Sequence, residues 1–181
     1  MDRDASNRVQ EFFAARSRDL TPASARHAAR VLYAPMSSDP SVSRLCASVL
    51  SDADRQRADR FGAQQHKNRF QQRRAFRRFC ATAALGSPQR LSDISFKETE
   101  NGRPYVPEAP EVWWSFSSCR LGVLGAWSST HGIGVDLEDQ TRDVEAEELA
   151  RQFFAATEAN AVARLSGAQR LRTFYRLWSL K

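Results

Sequence analysis

The segment 68–85 constrains the fold of this chain more than any other stretch, because its apolar residues repeat with the period of an α-helix. They stand at the spacing i, i+3, i+4 and i+7: Phe76, Phe79, Cys80 and Ala83. Gly86 and Pro88 then end the pattern, since glycine favours a helix terminus and proline cannot continue a helix. A separate stripe at i, i+4 and i+8 is basic: Arg69, Arg73 and Arg77. The pattern predicts a helix with one buried face and one basic face.

Short apolar runs bounded by turn residues predict β-strands elsewhere. The runs are 29–34, 94–96, 112–116, 121–127 and 132–138. Asn101 and Gly102 favour a turn between the second and third of them.

Helical patterns surround these runs. Ser51, which is followed by Asp52 and Asp54, predicts a helix start. Helical periodicity returns over 144–165 and again from Ala168, where one face carries Leu171, Phe174, Tyr175 and Trp178. Helices and strands in this order predict an α+β fold.

The composition suits one compact domain or two small packed halves, with 181 residues of which 41% are hydrophobic. No run approaches the roughly 18 apolar residues of a membrane helix, and residues 1–4 lack the basic-then-apolar order of a secretory signal. We therefore expect a cytoplasmic protein with no membrane partner. The cysteines and histidines are too scattered for a disulfide framework or a zinc site: Cys46, Cys80, Cys119, His27, His66 and His131.

The net charge of +6 indicates a polyanionic partner: nucleic acid, an acidic protein or a phosphate-rich small molecule. The basic residues cluster in one region: Arg55, Arg57, Arg60, Lys67, Arg69, Arg73, Arg74, Arg77 and Arg78. Arginine offers a planar donor fork that suits phosphate oxygens, and a solvated basic face is the equally weighted alternative. No RNA-binding motif interleaves aromatic residues with these arginines, which disfavours nucleic acid.

The run 132–138 is the most informative local pattern. On a strand, Ile133, Val135 and Leu137 would share one face, and Asp136 and Glu138 the other. Two such carboxylates stand roughly 6 to 7 Å apart at the backbone and can converge on one hard cation, for which Mg²⁺ is the natural candidate. The alternative is an ordinary surface strand with polar residues outside.

In their order, several weak motifs between Ala29 and Lys181 together resemble the Sfp-type 4′-phosphopantetheinyl transferases. The motifs lie at 50–61, at 69–78, at 102–104, at 114–119, at 134–138, and at 151–158 with 174–181. The first two are similar to the family's basic helices, and Gly102-Arg103-Pro104 is similar to its Gly-Lys-Pro turn. The segment 134–138 matches its metal-binding signature, and 178–181 matches the start of its closing Trp-x-x-Lys-Glu motif.

This resemblance implies two similar α+β halves with coenzyme A in the cleft between them, here with the second half incomplete. We expect a polar, loosely attached extension over 1–25, an N-terminal half over 26–128 and the start of a C-terminal half over 129–181. The implied reaction transfers the phosphopantetheine arm from coenzyme A to a serine of an apo acyl or peptidyl carrier protein, with Mg²⁺ as cofactor.

The resemblance also implies roles for individual residues. Asp136 and Glu138 would hold Mg²⁺, and Lys181 would be catalytic, adding positive charge at the leaving phosphate. The expected coenzyme A ligands are Arg57 and Arg69 at the 3′-phosphate, Gly102, Arg103 and Pro104 at the adenine, and Ser117 and Ser118.

The sequence departs from the family pattern at two places. Ser118 stands where the family has a histidine that contacts phosphate, and a serine supplies no charge, so Arg120 is a candidate to compensate. The family continues past Lys181 with a metal-binding glutamate, so we expect a truncated or degenerate member with the apolar stripe of its last helix partly exposed. The alternative function is a catalytically silent relative that binds coenzyme A or a carrier protein.

Overall fold

A computed structural model of the chain describes residues 3–26, 28–86 and 90–181. His27 and Pro88, on which two of the expectations rest, lie outside the described residues. The chain forms two compact units, Met1–Val135 and Asp136–Lys181, which we call the sheet unit and the helical unit. Each has its own hydrophobic core.

An antiparallel sheet organises the sheet unit, with strand order β1-β2-β6-β5. Its strands are β1 (Arg18–Asp19), β2 (Ala29–Pro35), β5 (Trp113–Ser118) and β6 (Gly122–Ser128). A separate hairpin consists of β3 (Lys97–Glu98) and β4 (Pro104–Tyr105). The predictions at 29–34, 112–116 and 121–127 are confirmed, and so is the α+β class.

The described residues of this unit also form four α-helices: α1 (Arg3–Arg16), α2 (Pro40–Ala47), α3 (Asp52–Asp59) and α4 (Gln64–Leu85). The Ser51 side chain accepts a hydrogen bond from Asp54 N and so caps α3 as predicted. The long helix α4 buries Phe76 and Cys80 completely and ends at Gly86, whose φ of 59° is left-handed. The amphipathic helix predicted from the sequence is thus the central helix of the core.

The expectation of a loosely attached N-terminal segment is wrong. The helix α1 begins at Arg3 and buries Val9 and Phe13, with Phe13 only 2% exposed. The Phe13 ring packs 5.4 Å from that of Phe76 on α4. The helix α1 has few apolar residues, but they lie on one face and pack into the core. The polar average composition of the segment therefore did not reveal this contact.

Three helices form the helical unit, whose residues are all described: α5 (Ala146–Phe153), α6 (Ala156–Ala163) and α7 (Gly167–Trp178). The helix predicted over 144–165 is two helices in the structure, because the backbone at Phe154 adopts an extended conformation (φ −102°, ψ 161°) that interrupts the helix. Phe174 is 2% exposed and stacks on Phe154, with ring centroids 5.5 Å apart. The apolar face of α7 is covered at Phe174, contrary to expectation, whereas Leu171 and Trp178 are half-buried.

Two predicted strands do not form. Residues 132–138 form no strand of the sheets in the described parts of the chain, although burial alternates as predicted from Ile133 to Leu137. A strand needs ladder hydrogen bonds from a neighbour, which side-chain alternation alone does not supply. The run 94–96 follows a short 3₁₀ turn at Leu91–Asp93, and Phe96 instead packs edge-on against Trp114 and Phe116.

No helix within the described ranges is both long enough and apolar enough to cross a membrane.

Candidate active site

A groove lined by arginine runs along the sheet unit where α3 and α4 meet the end of β5. We call it the basic groove and define it by the polar residues of two adjoining cavities: Arg57, His66, Arg69, Arg73, Arg74, Arg77, Glu98, Ser117, Ser118 and Arg120. Both cavities share Phe61, Arg73 and Ser118, so they are continuous. The sequence predicts a basic stripe on α4 that consists of Arg69, Arg73 and Arg77. This stripe faces the groove because the opposite side of α4 is buried in the core.

Two arginines of α4 form ion pairs with an acidic residue of α3. The carboxylate of Asp54 pairs with Arg74 at 3.1 Å and with Arg78 at 2.8 Å, and all three side chains are largely buried. Burial lowers the pKa of Arg78, and the Asp54 charge opposes that shift. Asp54 therefore fixes α3 against α4 and determines which positive charges of the helix are already compensated.

Arg73 and Arg77 remain without such compensation. Neither makes a salt bridge to any residue that the structure describes. Burial, followed by the repulsion of Arg74 and other arginines, lowers the pKa of both, that of Arg77 to about 10. Arg73 Nη1 donates to Ser118 Oγ at 3.3 Å, and the Arg77 guanidinium lies 5.0 Å above the Phe116 ring.

The structure brings most of the predicted coenzyme A ligands to this groove. Arg57 lines its first cavity and Arg69 its second, and Ser118 lines both. The guanidinium of Arg57 lies 5.8 Å above the ring of Phe70, which anchors it over α4. Ser117 lines the first cavity beside Ser118 at the end of β5.

The residues predicted to contact the adenine, Gly102, Arg103 and Pro104, belong to the β3–β4 hairpin. They do not line either cavity of the groove. Gly102 adopts a left-handed φ of 75° in the turn, which favours glycine there. The guanidinium of Arg103 lies 4.1 Å above the ring of Trp113, and Pro104 pairs with Glu98, whose side chain lines the groove. The hairpin thus borders the groove through Glu98.

A second cavity, of about 430 Å³, belongs to the helical unit. We call it the carboxylate cavity, and its lining residues are Asp136, Glu138, Phe153, Phe154, Trp178, Ser179 and Lys181. Both predicted metal ligands and the predicted catalytic lysine therefore share one cavity. Three of its seven lining residues are aromatic, and such apolar walls strengthen the interactions of the polar groups beside them.

Glu158 fixes the position of Lys181 in this cavity. The Lys181 ammonium lies 2.9 Å from a Glu158 carboxylate oxygen and 5.4 Å above the Phe154 ring. The hydrogen bond from Lys181, and then that from Ala155 N, lowers the pKa of Glu158. Glu158 is not among the residues that the sequence predicted for the site, because the capping signature that would single it out needs Ser or Thr at the N-cap, where this chain has Ala155.

The donor set of the carboxylate cavity suits Mg²⁺ shared with a substrate. Two carboxylates line it, and no group of three or more His, Cys, Asp or Glu side chains suited to a metal occurs in the described part of the chain. Mg²⁺ is usually held by one or two carboxylates together with substrate phosphates and water. The residues present therefore fit this ion with substrate, and not an all-protein metal cage.

Comparison with known proteins shows which family the segment around the carboxylate cavity resembles. Residues 132–181, which include the whole carboxylate cavity, match the model of the 4′-phosphopantetheinyl transferase superfamily. Over these residues the chain is similar to the 4′-phosphopantetheinyl transferase superfamily.

Two of these relatives show the extent of the similarity. 4′-Phosphopantetheinyl transferase Sfp of Bacillus subtilis is 33% identical over 90 residues, which is 50% of this chain and 39% of the relative. 4′-Phosphopantetheinyl transferase HetI of Nostoc is 28% identical over 138 residues, which is 75% of this chain and 57% of the relative. The matched part of the chain thus spans about two-fifths to three-fifths of the length of these relatives.

Proposed function

We propose that this protein transfers the 4′-phosphopantetheine arm from coenzyme A to a serine of an apo acyl or peptidyl carrier protein, in a Mg²⁺-dependent reaction. The observation that supports it best is the shared cavity of Asp136, Glu138 and Lys181, inside the segment that matches the family. Carboxylates for a cation and an ammonium for a phosphate are what phosphoryl-group chemistry needs at one place.

In the proposed reaction, the serine oxygen of the carrier forms a bond to the phosphorus of the pantetheine phosphate. The bond from that phosphorus to the bridging oxygen breaks, adenosine 3′,5′-bisphosphate leaves with the electron pair, and the proton of the serine hydroxyl is released to water. Asp136 and Glu138 would hold Mg²⁺, which when bound neutralises charge on the phosphate oxygens. Lys181 would stabilise the leaving phosphate, and Glu158 would keep its ammonium in the cavity.

The basic groove would bind the nucleotide end of coenzyme A, with Arg57 and Arg69 at the 3′-phosphate and the 102–104 hairpin at the adenine. The same positive surface would attract an acidic carrier protein. All three cysteines are described and free, Cys46, Cys80 and Cys119, which agrees with a reducing compartment, and we place the reaction in the cytoplasm.

Mass spectrometry of an apo carrier protein, incubated with this chain, coenzyme A and Mg²⁺, tests the proposal. We expect the mass of one phosphopantetheine arm to be added to the carrier. Asp136→Ala should abolish the addition, whereas Asp143→Ala, which removes an exposed carboxylate outside the cavity, should preserve it. An unmodified carrier despite coenzyme A binding would instead support the silent relative, and transfer by Asp136→Ala would refute the metal site.

A further inference from the structure

Tyr175 on α7 has a buried hydroxyl that has no role in the function proposed so far. Its side chain is 4% exposed and belongs to the core of the helical unit. The hydroxyl oxygen is buried and makes no hydrogen bond to any residue that the structure describes. A buried polar group without a partner costs free energy, and such groups are rare in native proteins. We propose that Tyr175 is a positioning residue, whose hydroxyl donates a hydrogen bond to Glu138 when that carboxylate holds a divalent cation.

The position of Tyr175 in the helical unit suits this role. Trp178 and Ser179 follow it by three and four residues, so the three residues lie on one face of the helix. Ser179 N donates to Tyr175 O at 3.0 Å, which continues the helical geometry to Ser179. Trp178 and Ser179 line the carboxylate cavity together with Glu138, whereas Tyr175 does not. Tyr175 therefore lies one turn behind the cavity wall, where it can support a ligand without contacting the substrate.

The hydroxyl of Tyr175 lies within the influence of two carboxylates. Burial has the largest effect on the pKa of Tyr175 and raises it; Arg142 lowers the pKa, and Glu138 and Asp139 raise it. The phenol therefore keeps its proton at neutral pH and can donate one hydrogen bond.

Of the two carboxylates, Glu138 is the one that this hydrogen bond would orient. Asp139 is 1% exposed, and its Oδ1 already accepts from Thr141 N at 3.0 Å and from Thr141 Oγ1 at 2.6 Å. Glu138 is half-buried and lines the cavity. Carboxylates that bind a metal are commonly hydrogen-bonded by a second group, which fixes their orientation. The inference rests on the proposed use of Asp136 and Glu138 as metal ligands.

Mn²⁺ binding, followed by the electron paramagnetic resonance signal of the free ion, tests the inference without nucleotide or carrier protein. Mn²⁺ is a suitable probe because carboxylate oxygens bind it as they bind Mg²⁺. Tyr175→Phe, which removes only the hydroxyl, should weaken Mn²⁺ binding roughly tenfold. Tyr33→Phe is the matched control, because it removes a hydroxyl that donates to Leu121 O in the sheet unit, and it should leave the affinity unchanged.

The unfolding temperature of the metal-free protein separates positioning from a structural role. Because the hydroxyl of Tyr175 has no partner among the described residues, Tyr175→Phe should unfold at the wild-type temperature or above it. A lowered unfolding temperature in the metal-free variant would assign the hydroxyl to the fold and overturn the inference. So would an unchanged Mn²⁺ affinity in Tyr175→Phe, or a wild-type protein that binds no Mn²⁺.

A spectroscopic measurement on the tyrosines gives an independent readout. The chain has three tyrosines, so labelling the Cζ atoms with ¹³C gives three resonances. Mg²⁺ should shift the Tyr175 resonance, which is assigned by its absence in Tyr175→Phe, and not those of Tyr33 and Tyr105. An unshifted Tyr175 resonance would contradict the proposed hydrogen bond.

These experiments distinguish the inference from the proposed function. Metal binding that depends on Tyr175, in a protein that modifies no carrier, would uphold the inference while the proposed function fails. Carrier modification by a protein whose Mn²⁺ affinity does not depend on Tyr175 would do the reverse.

Discussion

The ammonium of Lys181 lies 2.9 Å from the carboxylate of Glu158, at the edge of the cavity that also contains Asp136 and Glu138. The pair joins Lys181, which lies three residues beyond the end of α7, to the first turn of α6. It therefore positions a proposed catalytic group and links two helices of the helical unit at the same time.

This pair should give the unfolding temperature a defined pH dependence. The pKa of Glu158 is lowered in the folded protein, so its stabilising effect is present above the unfolded pKa, about 4.3, and is lost as pH falls through the lower folded value. Glu158→Gln should unfold at a lower temperature than wild type at pH 7, and the difference should shrink in acid. Glu148→Gln, an exposed glutamate of α5, should show no such convergence. A pH-independent difference would contradict the ion pair.

The Asp54 pair with Arg74 and Arg78 should contribute strongly to stability. The Arg78 side chain is 5% exposed, so Asp54→Asn leaves a buried guanidinium without its counter-charge. We expect a loss of about 3 kcal/mol in urea unfolding. Asp52→Asn breaks only the surface pair with Arg55, where the carboxylate is 87% exposed, and should cost less than about 1 kcal/mol. Equal effects of the two variants would exclude a buried network.

Gly125 on β6 is required by packing against α4. A Cβ at this position would lie 2.9 Å from Cys80 Sγ and 3.0 Å from the Phe116 ring. Gly125→Ala should therefore destabilise the protein by about 1–3 kcal/mol through overpacking. Gly62→Ala is the comparison, because nothing lies within 4 Å of the added methyl group, and it should be close to neutral. A neutral Gly125→Ala would mean that α4 does not pack on the sheet as described.

The helix α1 should be part of the cooperative fold. Phe13 is 2% exposed and contacts Phe76, so Phe13→Ala should cost about 3–5 kcal/mol in denaturant unfolding. Phe12→Ala removes a half-buried ring from the same helix and should cost clearly less. If neither variant changed stability, the segment would be the loose extension that its composition suggested.

The sequence correctly predicted the helix ends that depend on a few adjacent residues. Ser51 caps α3 and Gly86 ends α4, because capping depends on a few adjacent residues. The run 132–138 shows the limit of such reasoning. Its alternating burial follows from the sequence, but a strand also needs a partner, and the sequence of one segment does not contain that information.

The candidate site likewise has some features that the sequence predicted and others that only the tertiary structure shows. The sequence by itself determined that Arg69, Arg73 and Arg77 share one face of a helix, which follows from their spacing. The resemblance to a known family, and not spacing, connected Asp136 and Glu138 with Lys181. Only the tertiary structure decided that Asp54 neutralises Arg74 and Arg78 but not Arg73, and that Glu158 binds Lys181. Ion pairing depends on distances between helices that packing sets, and the charge left for a ligand is what remains after those pairs have formed.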